Sequence, residues 1–488
     1  MKEEKVILVD REDNPIGLMP KMEAHEKALL HRAFSVFIFN DKGELLLQQR
    51  AAHKYHSPRL WTNTVCSHQR QDETNLQAGK RRLMEEMGMK SELKEIFHFI
   101  YKAELDQGLI EHELDHVMIG FSNESPVINP GEVMDYKWES LENIEKDIQR
   151  NPQDYTEWFK IIFANSLSKL KQELELKMLQ KPIRFQPLYK ERPWGGKKLK
   201  TLLNKDIPSS KTGESWEISN VENNISQVKE GYFKNRNLRE LVKEFKDRLI
   251  GKKVYEKFGL HFPLLIKYID AADDLSIQVH PGDQMAEKYH KSFGKNELWY
   301  IIQADPGAVL YIGFKPGTDK EKYLQKLEEG KLEEILNKIE VQPGDIFYIP
   351  AGTVHAIGKG VLLGEIQQTS DITYRIYDWN RPGLDGNPRE LHTSKALEAI
   401  NFSAQPEQQK GKKIKTPYFT IDRMNISDSA NIDISGIDSF IILMNTGEGV
   451  FKIDGMDFNK GDTLFLPAIK QKYKVDVNKP GEYLQVYL

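Results

Sequence analysis

The segment EWFKIIFANSLSKLKQELELKMLQ at residues 157–180 separates two parts of the chain whose residue patterns differ. Its apolar residues recur at helical spacing, so we predict a long helix, which Pro182 ends because proline cannot continue one. Before this segment, strand-like and helix-like runs alternate. After it, short β-branched and aromatic runs recur between Gly and Pro turn markers. The change predicts a multidomain protein, with an α/β part followed by a mainly-β part.

Composition narrows the classes of function. The 488 residues are 39% hydrophobic and 29% charged, and the net charge of −4 gives no electrostatic reason to expect nucleic-acid or membrane binding. No apolar run approaches the roughly 20 residues that span a bilayer. Cys66 is the single cysteine, so no intrachain disulfide can form. The start MKEEKVILVD lacks the layout of a signal peptide, and we therefore expect a reducing, cytoplasmic location.

The first part has the pattern of a mixed α/β domain. AFSVFIFN, DKG and ELLLQQR at residues 33–50 predict a hairpin of two strands around a turn. Residues 72–87 have helical spacing, and Gly88 is a suitable helix stop. Further strands are predicted at 97–103 and 116–121.

The second part has many short strands, which predict a β-sandwich or jelly roll. Two helical interruptions are expected, around 237–257 and 319–338. QPGDIFYIPAG at 342–352 resembles NKGDTLFLPA at 459–468. This weak internal repeat predicts two copies of one barrel, of which the second contains no histidine.

Histidines fall into two regions of the chain. Eight of the 13 lie within the first 116 residues, none lies between 117 and 260, and five lie from 261 to 392. Two regions rich in a common metal ligand, separated by one without it, predict two independent sites.

Three motifs identify a family for the first part. WTNTVCSHQ at 61–69, RRLMEEMG at 81–88 and LIEHELDH at 109–116 resemble type I isopentenyl-diphosphate isomerases over about residues 1–170. The resemblance implies a Nudix-like α/β fold and the interconversion of isopentenyl and dimethylallyl diphosphate. That chemistry protonates an alkene to a tertiary carbocation and removes a different proton, so it needs an acid and a base on opposite faces and the exclusion of water.

The resemblance also implies the site residues. Cys66 would act on one face of the alkene, and Glu113 with Tyr101 on the other. Glu111 and Glu113 alternate, so on a strand they share a face. The metal ligands, suited to Zn, Mn or Mg, would be His25, His31, His68, Glu111 and Glu113, with a second Mg²⁺ near Glu86; the substrate-binding residues would be Lys21, Arg50, Lys54, Arg82 and, beside the carbocation, Trp158.

The sequence departs from the family at two positions. The spacing from His25 to His31 is one residue shorter than in a bacterial family member, which puts His31 in doubt as a ligand. Gln69 follows His68 where the family usually has proline, which changes the stiffness of the loop rather than the chemistry.

A Nudix hydrolase that cleaves nucleoside diphosphate compounds is the alternative for the first part. The hydrolase pattern G-x5-E-x7-R-E-U-x-E-E-x-G-U, where U is a bulky aliphatic residue, falls on residues 67–89. Ser67 replaces its opening Gly, and Arg82 replaces a metal-binding Glu. Exchanging a carboxylate for an arginine weakens a hydrolytic metal site and improves diphosphate binding, so we favour the isomerase.

A second family is indicated after Pro182. The carrying motifs are YKERPWGG at 189–196, TGESWEIS at 212–219, FPLLIKYIDAADDLSIQVHP at 262–281, GKNELWYI at 294–301 and IPAGTVHAIGKG at 349–360. They resemble type I mannose-6-phosphate isomerases over about 183–400. The resemblance implies a cupin fold, one zinc ion, and conversion of mannose 6-phosphate to fructose 6-phosphate through an enediol.

Gln278 and His280 are two residues apart and therefore face one side of a strand, while Glu297 and His355 come from later strands. Together they predict a zinc site with four protein ligands. By the resemblance, Arg375 stabilises the developing oxyanion, and Lys295 and Lys267 are candidates for phosphate binding or acid–base catalysis. A cupin that only binds a sugar, and other cupin isomerases of sugar phosphates, remain open.

The sequence thus predicts a bifunctional isomerase acting on small phosphorylated substrates, with no nucleic-acid or membrane partner; a homo-oligomer is left open. The expected cofactors are Mg²⁺, or Mn²⁺ or Zn²⁺, in the first part and Zn²⁺ in the second. A scaffold whose sites now only bind is the third hypothesis. The predicted divisions are 1–170 (isopentenyl-diphosphate isomerase), 171–182 (helical connector), 183–405 (catalytic cupin) and 406–488 (a degenerate, metal-free cupin-like barrel).

Overall fold

The computed structural model describes residues 4–105 and 108–488, and the chain separates into two compact units, Met1–Met178 and Leu179–Leu488. The first unit combines one large sheet with helices. Its strands are β1 (Lys5–Val9), β2 (Pro15–Pro20), β3 (His31–Phe39), β4 (Glu44–Arg50), β5 (Trp61–Thr62), β6 (Val65–Ser67), β7 (Leu93–Glu104), β8 (Ile110–Phe121) and β9 (Val133–Ser140). Its helices are α1 (Lys21–Glu26), α2 (Asn75–Met87), α3 (Leu141–Arg150) and α4 (Glu157–Met178), with a 3-10 helix at Pro152–Asp154.

Strand β3 organises this sheet. It pairs in parallel with β8, in a register that runs from His31 opposite Glu113 to Phe39 opposite Phe121, and antiparallel with β4 and β6. The hairpin predicted at 33–50 and the mixed α/β class are confirmed. The register brings a histidine of β3 beside a carboxylate of β8, which positions the first candidate site.

Helix α2 covers the apolar face of the sheet. Leu83 and Met87 of the helix are buried with Phe34 and Val36 of β3. The helix begins three residues later than predicted because Thr74 forms a capping box with Gln77. It ends at Gly88, whose left-handed backbone forms the C-cap as predicted.

Helix α4 was predicted over 157–180 and spans Glu157–Met178. Its buried side chains lie on one face along its whole length, from Trp158 and Phe159 to Leu174 and Met178. No helix among residues 4–105 and 108–488 is both long enough and apolar enough to cross a membrane.

The second unit begins with a pair of facing sheets. Trp299 and Leu363 of the larger sheet and Leu310 and Ile312 of the smaller belong to one buried core. The strands are β10 (Leu188–Gly196), β11 (Thr212–Ile218), β12 (Asn220–Val221), β13 (Asn224–Ile225), β14 (Leu264–Ala271), β15 (Ile277–Val279), β16 (Glu297–Ala304), β17 (Val309–Phe314), β18 (Leu336–Glu340), β19 (Ile346–Ile349), β20 (His355–Ile357), β21 (Val361–Gln368), β22 (Tyr374–Tyr377) and β23 (Glu407–Gln408). The sheet orders are β10-β11-β14-β21-β16-β19-β23 and β18-β17-β20-β15-β22, while β12 and β13 pair separately.

The helices of this unit are short and lie between the strands: α5 (Lys198–Leu203), α6 (Leu238–Phe245), α7 (Asp247–Ile250), α8 (Lys252–Phe258), α9 (Asp283–His290), α10 (Lys320–Glu328) and α11 (Thr393–Ala399), with a 3-10 helix at Leu332–Ile335. The helical region predicted at 237–257 is three helices, because Lys246 and Gly251 both have positive φ. The prediction at 319–338 is wrong at its end, where β18 pairs with β17.

A second pair of sheets closes the chain. Ile441 and Leu443 of one sheet meet Phe451 and Tyr473 of the other in a separate core. The strands are β24 (Lys413–Lys415), β25 (Thr420–Ile426), β26 (Ala430–Asp433), β27 (Ile441–Met444), β28 (Val450–Ile453), β29 (Met456–Phe458), β30 (Thr463–Leu466), β31 (Lys472–Lys479) and β32 (Gly481–Tyr487), in the orders β24-β25-β32-β27-β30 and β26-β31-β28-β29.

The repeat seen in the sequence lies on equivalent features of the two pairs of sheets. Its first copy forms β19 and its second β30, and each strand follows a glycine with positive φ, Gly344 or Gly461. The last pair of sheets lacks histidine altogether.

The C-cap of α2 provides a test of the fold. At Gly88, φ is +63° and an added Cβ would lie 2.6 Å from the Val127 carbonyl oxygen, so Gly88→Ala combines backbone strain with overpacking. We expect it to destabilise the first unit by about 2–4 kcal/mol. Gly108→Ala is the matched control, because Gly108 has φ of +74° but nothing within 4 Å of an added Cβ. Hydrogen exchange of the α2 amides would measure both changes, and equal losses would contradict the packing argument.

Candidate active sites

Three histidines and one glutamate converge in the first unit. His25 lies on α1, His31 begins β3, His68 follows β6 and Glu113 lies on β8. All four are buried, and each offers a ligand atom within 4.8 Å of the others. Glu113 Oε1 lies 3.0 Å from His68 Nε2 and 3.4 Å from His31 Nε2. The structure therefore brings together His31, which the shortened spacing had put in doubt, and the other predicted ligands of this group.

The protonation state of these imidazoles suits a metal ion. Burial is the main cause that lowers the pKa of His25 to about 3 and that of His68 to about 4. Neither nitrogen of His25 makes a hydrogen bond, nor do His31 Nε2 and His68 Nδ1. Buried polar atoms without partners are costly unless a ligand satisfies them. A divalent cation fits this set of imidazole nitrogens and one carboxylate.

Glu111 and Tyr101 lie beside this group. The Tyr101 hydroxyl donates a hydrogen bond of 2.6 Å to Glu113 Oε2 and lies 3.2 Å from Glu111 Oε2. Burial raises the pKa of Glu111 well above its usual value, and the charge of Glu113 adds to the shift. Burial would also raise the pKa of Glu113, but the hydrogen bond to His68 and the close His31 imidazole hold it well below its usual value. Glu113 is thus the ionised member of the pair, and the role of Glu111 as a ligand stays a prediction.

A cavity of about 150 Å³ adjoins the group and holds the reactive side chains. Cys66 on β6 and Glu113 on β8 both line it, and so does the indole of Trp158. Burial raises the pKa of the Cys66 thiol well above its usual value, and the Ser35 hydroxyl lies 3.5 Å from Sγ. The cavity therefore holds a protonated thiol and a carboxylate together.

The predicted diphosphate-binding cations line the same cavity: Lys21, Arg50, Lys54 and Arg82. The Arg50 guanidinium lies 5.0 Å from the centre of the Trp158 ring. Arg82 Nη2 lies 2.6 Å from Glu86 Oε1, and Lys54 forms an ion pair with Glu132. Five carboxylates line the same cavity, Glu4, Glu86, Glu111, Glu113 and Glu132, so the four cations lie among acidic groups.

The carboxylates of the hydrolase pattern are bound by arginines. Glu85 Oε2 lies 3.1 Å from Arg81 Nη1 and 3.0 Å from Arg82 Nη1. Glu86 is paired with Arg82 and accepts a hydrogen bond of 2.9 Å from Gln48. Arg82, which replaces a carboxylate of the hydrolase pattern, therefore removes one metal ligand. It also forms ion pairs with the two remaining carboxylates, Glu85 and Glu86.

His56 is a cavity residue that the sequence analysis missed. It is buried, and its ring lies edge-on to Trp158 with the centroids 5.4 Å apart. Burial lowers its pKa to about 3, so the ring is neutral. His56 lies in the irregular loop after β4, where no periodicity marks a buried position. Only its position between Arg50 and Cys66, both predicted site residues, could have drawn attention to it.

A second group of ligands lies in the second unit. Glu297 begins β16, His280 follows β15 and His355 begins β20; all three are buried. Glu297 Oε2 lies 3.4 Å from His280 Nε2, and Glu297 Oε1 lies 3.4 Å from His355 Nε2. Gln278 Nε2 is 3.3 Å from His355 Nε2. The structure therefore brings the four predicted zinc ligands together.

Backbone contacts orient both imidazoles of this group. His280 Nδ1 lies 3.0 Å from the Ile372 carbonyl and His355 Nδ1 lies 2.9 Å from that of Thr353, so each ring donates from Nδ1 and turns the lone pair of Nε2 inward. Burial lowers the pKa of His355 to about 4. Neither oxygen of Glu297 accepts a hydrogen bond. Two neutral nitrogens, an amide and an unsatisfied carboxylate fit Zn²⁺.

A cavity of about 680 Å³ opens onto this group. Gln278, Lys295, Lys267 and Arg375 line it. Lys295 Nζ lies 2.9 Å from His280 Nε2, so this cation borders the ligands. The Arg375 guanidinium donates to the Glu390 carbonyl at 2.8 Å, while its buried Nε makes no hydrogen bond. Three predicted cations thus face a space large enough for a sugar phosphate.

Glu365 is one of the acidic residues of this cavity that the sequence analysis missed. It lies on β21 opposite Lys267 and Trp299. It accepts hydrogen bonds of 2.8 Å from Lys267 Nζ and 3.1 Å from Trp299 Nε1. A lone glutamate in the apolar run VLLGEI was the available signal, since a charged residue in a buried strand needs a partner.

Comparison with known proteins gives isomerases for the first unit. A profile of the NUDIX domain family matches residues 29–159. The isopentenyl-diphosphate Delta-isomerase of Pectobacterium atrosepticum is 50% identical over 160 residues, which cover 33% of this chain and 89% of that protein. The isopentenyl-diphosphate Delta-isomerase 2 of Photorhabdus laumondii is 52% identical over 166 residues, covering 34% and 93%.

The second unit matches sugar-phosphate isomerases. The profile of the phosphomannose isomerase type I catalytic domain matches residues 183–300. The mannose-6-phosphate isomerase ManA of Bacillus subtilis is 38% identical over 314 residues, which cover 61% of this chain and 97% of that protein. A crystal structure of the mannose 6-phosphate isomerase from Bacillus subtilis superposes with a TM-score of 0.56 at 33% identity, covering 63% of this chain and all of that one.

The neutral histidines of the first site predict an acid-sensitive unit. The pKa of His25 is about 3 in the folded chain and about 6.5 when unfolded, so between these values the unfolded state binds more protons and stability falls with falling pH. In metal-free protein we expect His25→Gln to reduce this slope by about 0.7 kcal/mol per pH unit at pH 6.5, rising to about 1.4 kcal/mol per pH unit near pH 5.

Hydrogen exchange of β3 amides, corrected for the intrinsic effect of pH on exchange, would measure the slope. His53→Gln is the control, because His53 is exposed in the same unit. An unchanged slope in His25→Gln would show that this imidazole is not held neutral by burial.

Proposed function

Because the chain belongs to two isomerase families, the isopentenyl-diphosphate Delta-isomerases over its first third and the type I mannose-6-phosphate isomerases over most of the remainder, we propose that it is a bifunctional isomerase. One reaction interconverts isopentenyl and dimethylallyl diphosphate, and the other interconverts mannose 6-phosphate and fructose 6-phosphate. The observation that carries this proposal is that each unit has its own buried group of imidazoles around a carboxylate, beside a cavity lined by cations.

In the first unit, Cys66 and Glu113 would exchange protons with the alkene from two sides. One group adds a proton to the terminal carbon, which leaves a tertiary carbocation. The other group, on the opposite face, removes a proton from the carbon that joins the cationic centre to the diphosphate-bearing end. Tyr101 supports Glu113 through its hydrogen bond of 2.6 Å. The Trp158 ring lines the cavity and can stabilise the cation through its π face.

The metal-binding roles in this unit follow the same proposal. Mg²⁺, Mn²⁺ or Zn²⁺ held by the histidines and glutamates would acidify the carboxyl group and fix its position. The residues that would hold it are His25, His31, His68, Glu111 and Glu113. The diphosphate would be bound by Lys21, Arg50, Lys54 and Arg82, with a second Mg²⁺ near Glu86 to bridge its oxygens.

In the second unit, Gln278, His280, Glu297 and His355 would hold Zn²⁺, which would polarise the sugar carbonyl or order the substrate. The reaction moves a proton between C1 and C2 through an enediol. Lys295 and Lys267 line the cavity as candidates for phosphate binding or proton transfer. The Arg375 guanidinium would stabilise the developing oxyanion, as a fixed positive charge in a site shielded from water does effectively.

The alternative functions receive less support. A Nudix hydrolase needs free carboxylates on α2, but Glu85 and Glu86 are paired with arginines. A cupin that only binds a sugar would not require the cavity cations Lys295 and Arg375 next to the ligands.

The two compact units divide between Met178 and Leu179, inside the connector predicted from sequence. We propose 1–170 and 183–405 as the two catalytic parts, 171–182 as a connector, and 406–488 as a metal-free cupin-like barrel that packs against the catalytic cupin. A catalytic Cys66 must remain a thiol, which fits a cytoplasmic location.

Crossed substitutions test the two-enzyme proposal. Full-length protein would be assayed with isopentenyl diphosphate and Mg²⁺, and separately with mannose 6-phosphate and Zn²⁺. We expect Cys66→Ala to lower the first activity by at least about 100-fold and leave the second unchanged, since it removes a group that exchanges a proton with the substrate. His280→Ala, which removes a ligand, would do the reverse. If one wild-type reaction is absent with its metal supplied, that unit requires another assignment, starting with nucleoside diphosphates for the first.

Glu365 provides a second test in the sugar isomerase. Glu365→Gln keeps the shape of the side chain but leaves the buried Lys267 without a charged partner. We expect kcat for mannose 6-phosphate to fall at least about tenfold, because the charge balance around a proposed catalytic lysine changes. The isopentenyl diphosphate reaction of the same variant reports only on the first unit, so an unchanged thermal unfolding midpoint of the second unit is the control for folding. Full retention of kcat would show that Glu365 has only a structural role.

A further inference from the structure

Another group of potential metal ligands lies in the first unit, apart from the catalytic residues. Glu95 and His98 on β7 and His116 on β8 each offer a ligand atom, and these atoms lie within 4.8 Å of one another. His98 and His116 are direct partners across the two strands, and their ring centroids are 5.3 Å apart. We call these three residues the β7–β8 cluster.

The cluster lies on the opposite face of β8 from the catalytic carboxylates. Side chains alternate along a strand, so Glu111 and Glu113 point to one face and His116 to the other. His98 is exposed, Glu95 is partly exposed, and His116 is only 3% exposed. Neither catalytic cavity is lined by any of the three. The cluster is therefore reachable from solvent without passing through the isopentenyl diphosphate site.

His116 is held as metal-bound histidines usually are. Its Nδ1 contacts Glu95 Oε1 at 2.7 Å, inside the cluster. Its Nε2 makes no hydrogen bond and faces Asp13 Oδ2 at 3.3 Å. Asp13 is fixed in turn, because its other carboxylate oxygen lies 2.7 Å from Arg32 Nε. A carboxylate on the far nitrogen of a ligating imidazole orients the ring and strengthens it as a donor.

The two catalytic groups of this chain provide an internal comparison. Each places an imidazole Nε2 3.4 Å from a carboxylate oxygen, a spacing long for a hydrogen bond. Ligand atoms on a tetrahedral ion with bonds of about 2.0–2.1 Å lie about 3.3 Å apart. In the β7–β8 cluster the contact of 2.7 Å between His116 Nδ1 and Glu95 Oε1 is shorter than this spacing because it is a hydrogen bond. Loss of the proton between His116 Nδ1 and Glu95 Oε1 would let both groups bind an ion.

We propose that Glu95, His98 and His116 form a third metal site, which binds a divalent transition-metal ion of the zinc class, with Asp13 orienting His116. Two imidazoles and a carboxylate favour Zn²⁺ over Mg²⁺, which prefers oxygen ligands. The ion would join β7 to β8 on the solvent side of the strands that present Tyr101 and Glu113 to the substrate, and would thereby stiffen the wall of the catalytic cavity.

The test counts ions rather than activity. Full-length protein would be dialysed to equilibrium against micromolar Zn²⁺, and the zinc bound per chain would be measured by mass spectrometry. We expect His98→Ala to bind one zinc ion fewer than the wild type, and Glu95→Gln to bind fewer at limiting zinc. His53→Ala, which removes an exposed histidine outside the cluster, would match the wild type. Because the catalytic ligands are intact in every variant, the difference isolates the β7–β8 cluster.

Both isomerase activities report on folding in the same samples, and we expect them to stay within about twofold of wild type, since none of the changed residues contacts a catalytic cavity. Equal zinc counts in wild type and His98→Ala would overturn the proposal and leave the cluster as a hydrogen-bonded His–carboxylate pair. Loss of isomerase activity with an unchanged zinc difference would bear on the proposed function and not on this site.

Discussion

A buried carboxylate held between two imidazoles is the constraint on which both units depend. Glu113 is 2% exposed and Glu297 is fully buried. Charge at this depth is costly unless a counter-charge is present, and burial lowers the pKa of the neighbouring His68, His280 and His355 and so keeps them neutral. Each arrangement is therefore stable only as part of a rigid sheet that gives the ligands no means of moving apart or into water. The strands, the caps and the packed cores serve that requirement.

Strand register converts this constraint into geometry. His31 lies opposite Glu113 because β3 and β8 run parallel and in step, and Gln278 lies opposite His355 because β15 and β20 pair antiparallel. The sequence already showed which residues share a face, since Glu111 and Glu113 alternate along one strand. It could not show which strands pair or in what register, because a one-residue slip preserves the alternation and changes every partner. The ligand sets were predictable from motifs, and their convergence required the fold.

The missed features have physical reasons of the same kind. His56 lies in an irregular loop, where burial leaves no periodic trace in the sequence. Glu365 lies inside a strand, but its partner Lys267 is about a hundred residues away, so only pairing across the sheet shows why a charge is tolerated there. The helix expected over 237–257 is interrupted at Lys246, where φ is positive. A lysine gives no sequence signal for this conformation, which glycine and asparagine adopt more often. The local pattern of apolar residues predicted whether a segment is helix or strand, whereas the ends of the elements depend on tertiary contacts.

The two sites reach a metal-binding arrangement by different electrostatics. The hydrogen bond to His68 and the close His31 imidazole keep the pKa of Glu113 well below its usual value, so this carboxylate is ionised before a cation binds. In the second unit burial, with the nearby charge of Glu365, raises the pKa of Glu297 to about 7. A cation there must displace a proton from a large share of the molecules at neutral pH, whereas at Glu113 it need not. Glu365 thus has two effects: its charge raises the pKa of Lys267, which keeps that lysine charged, and it also raises the pKa of the metal ligand Glu297. Keeping Lys267 charged near the metal ligands therefore makes Glu297 less acidic. The Lys295 ammonium, 3.2 Å from Glu297, lowers the pKa of Glu297 and opposes this effect.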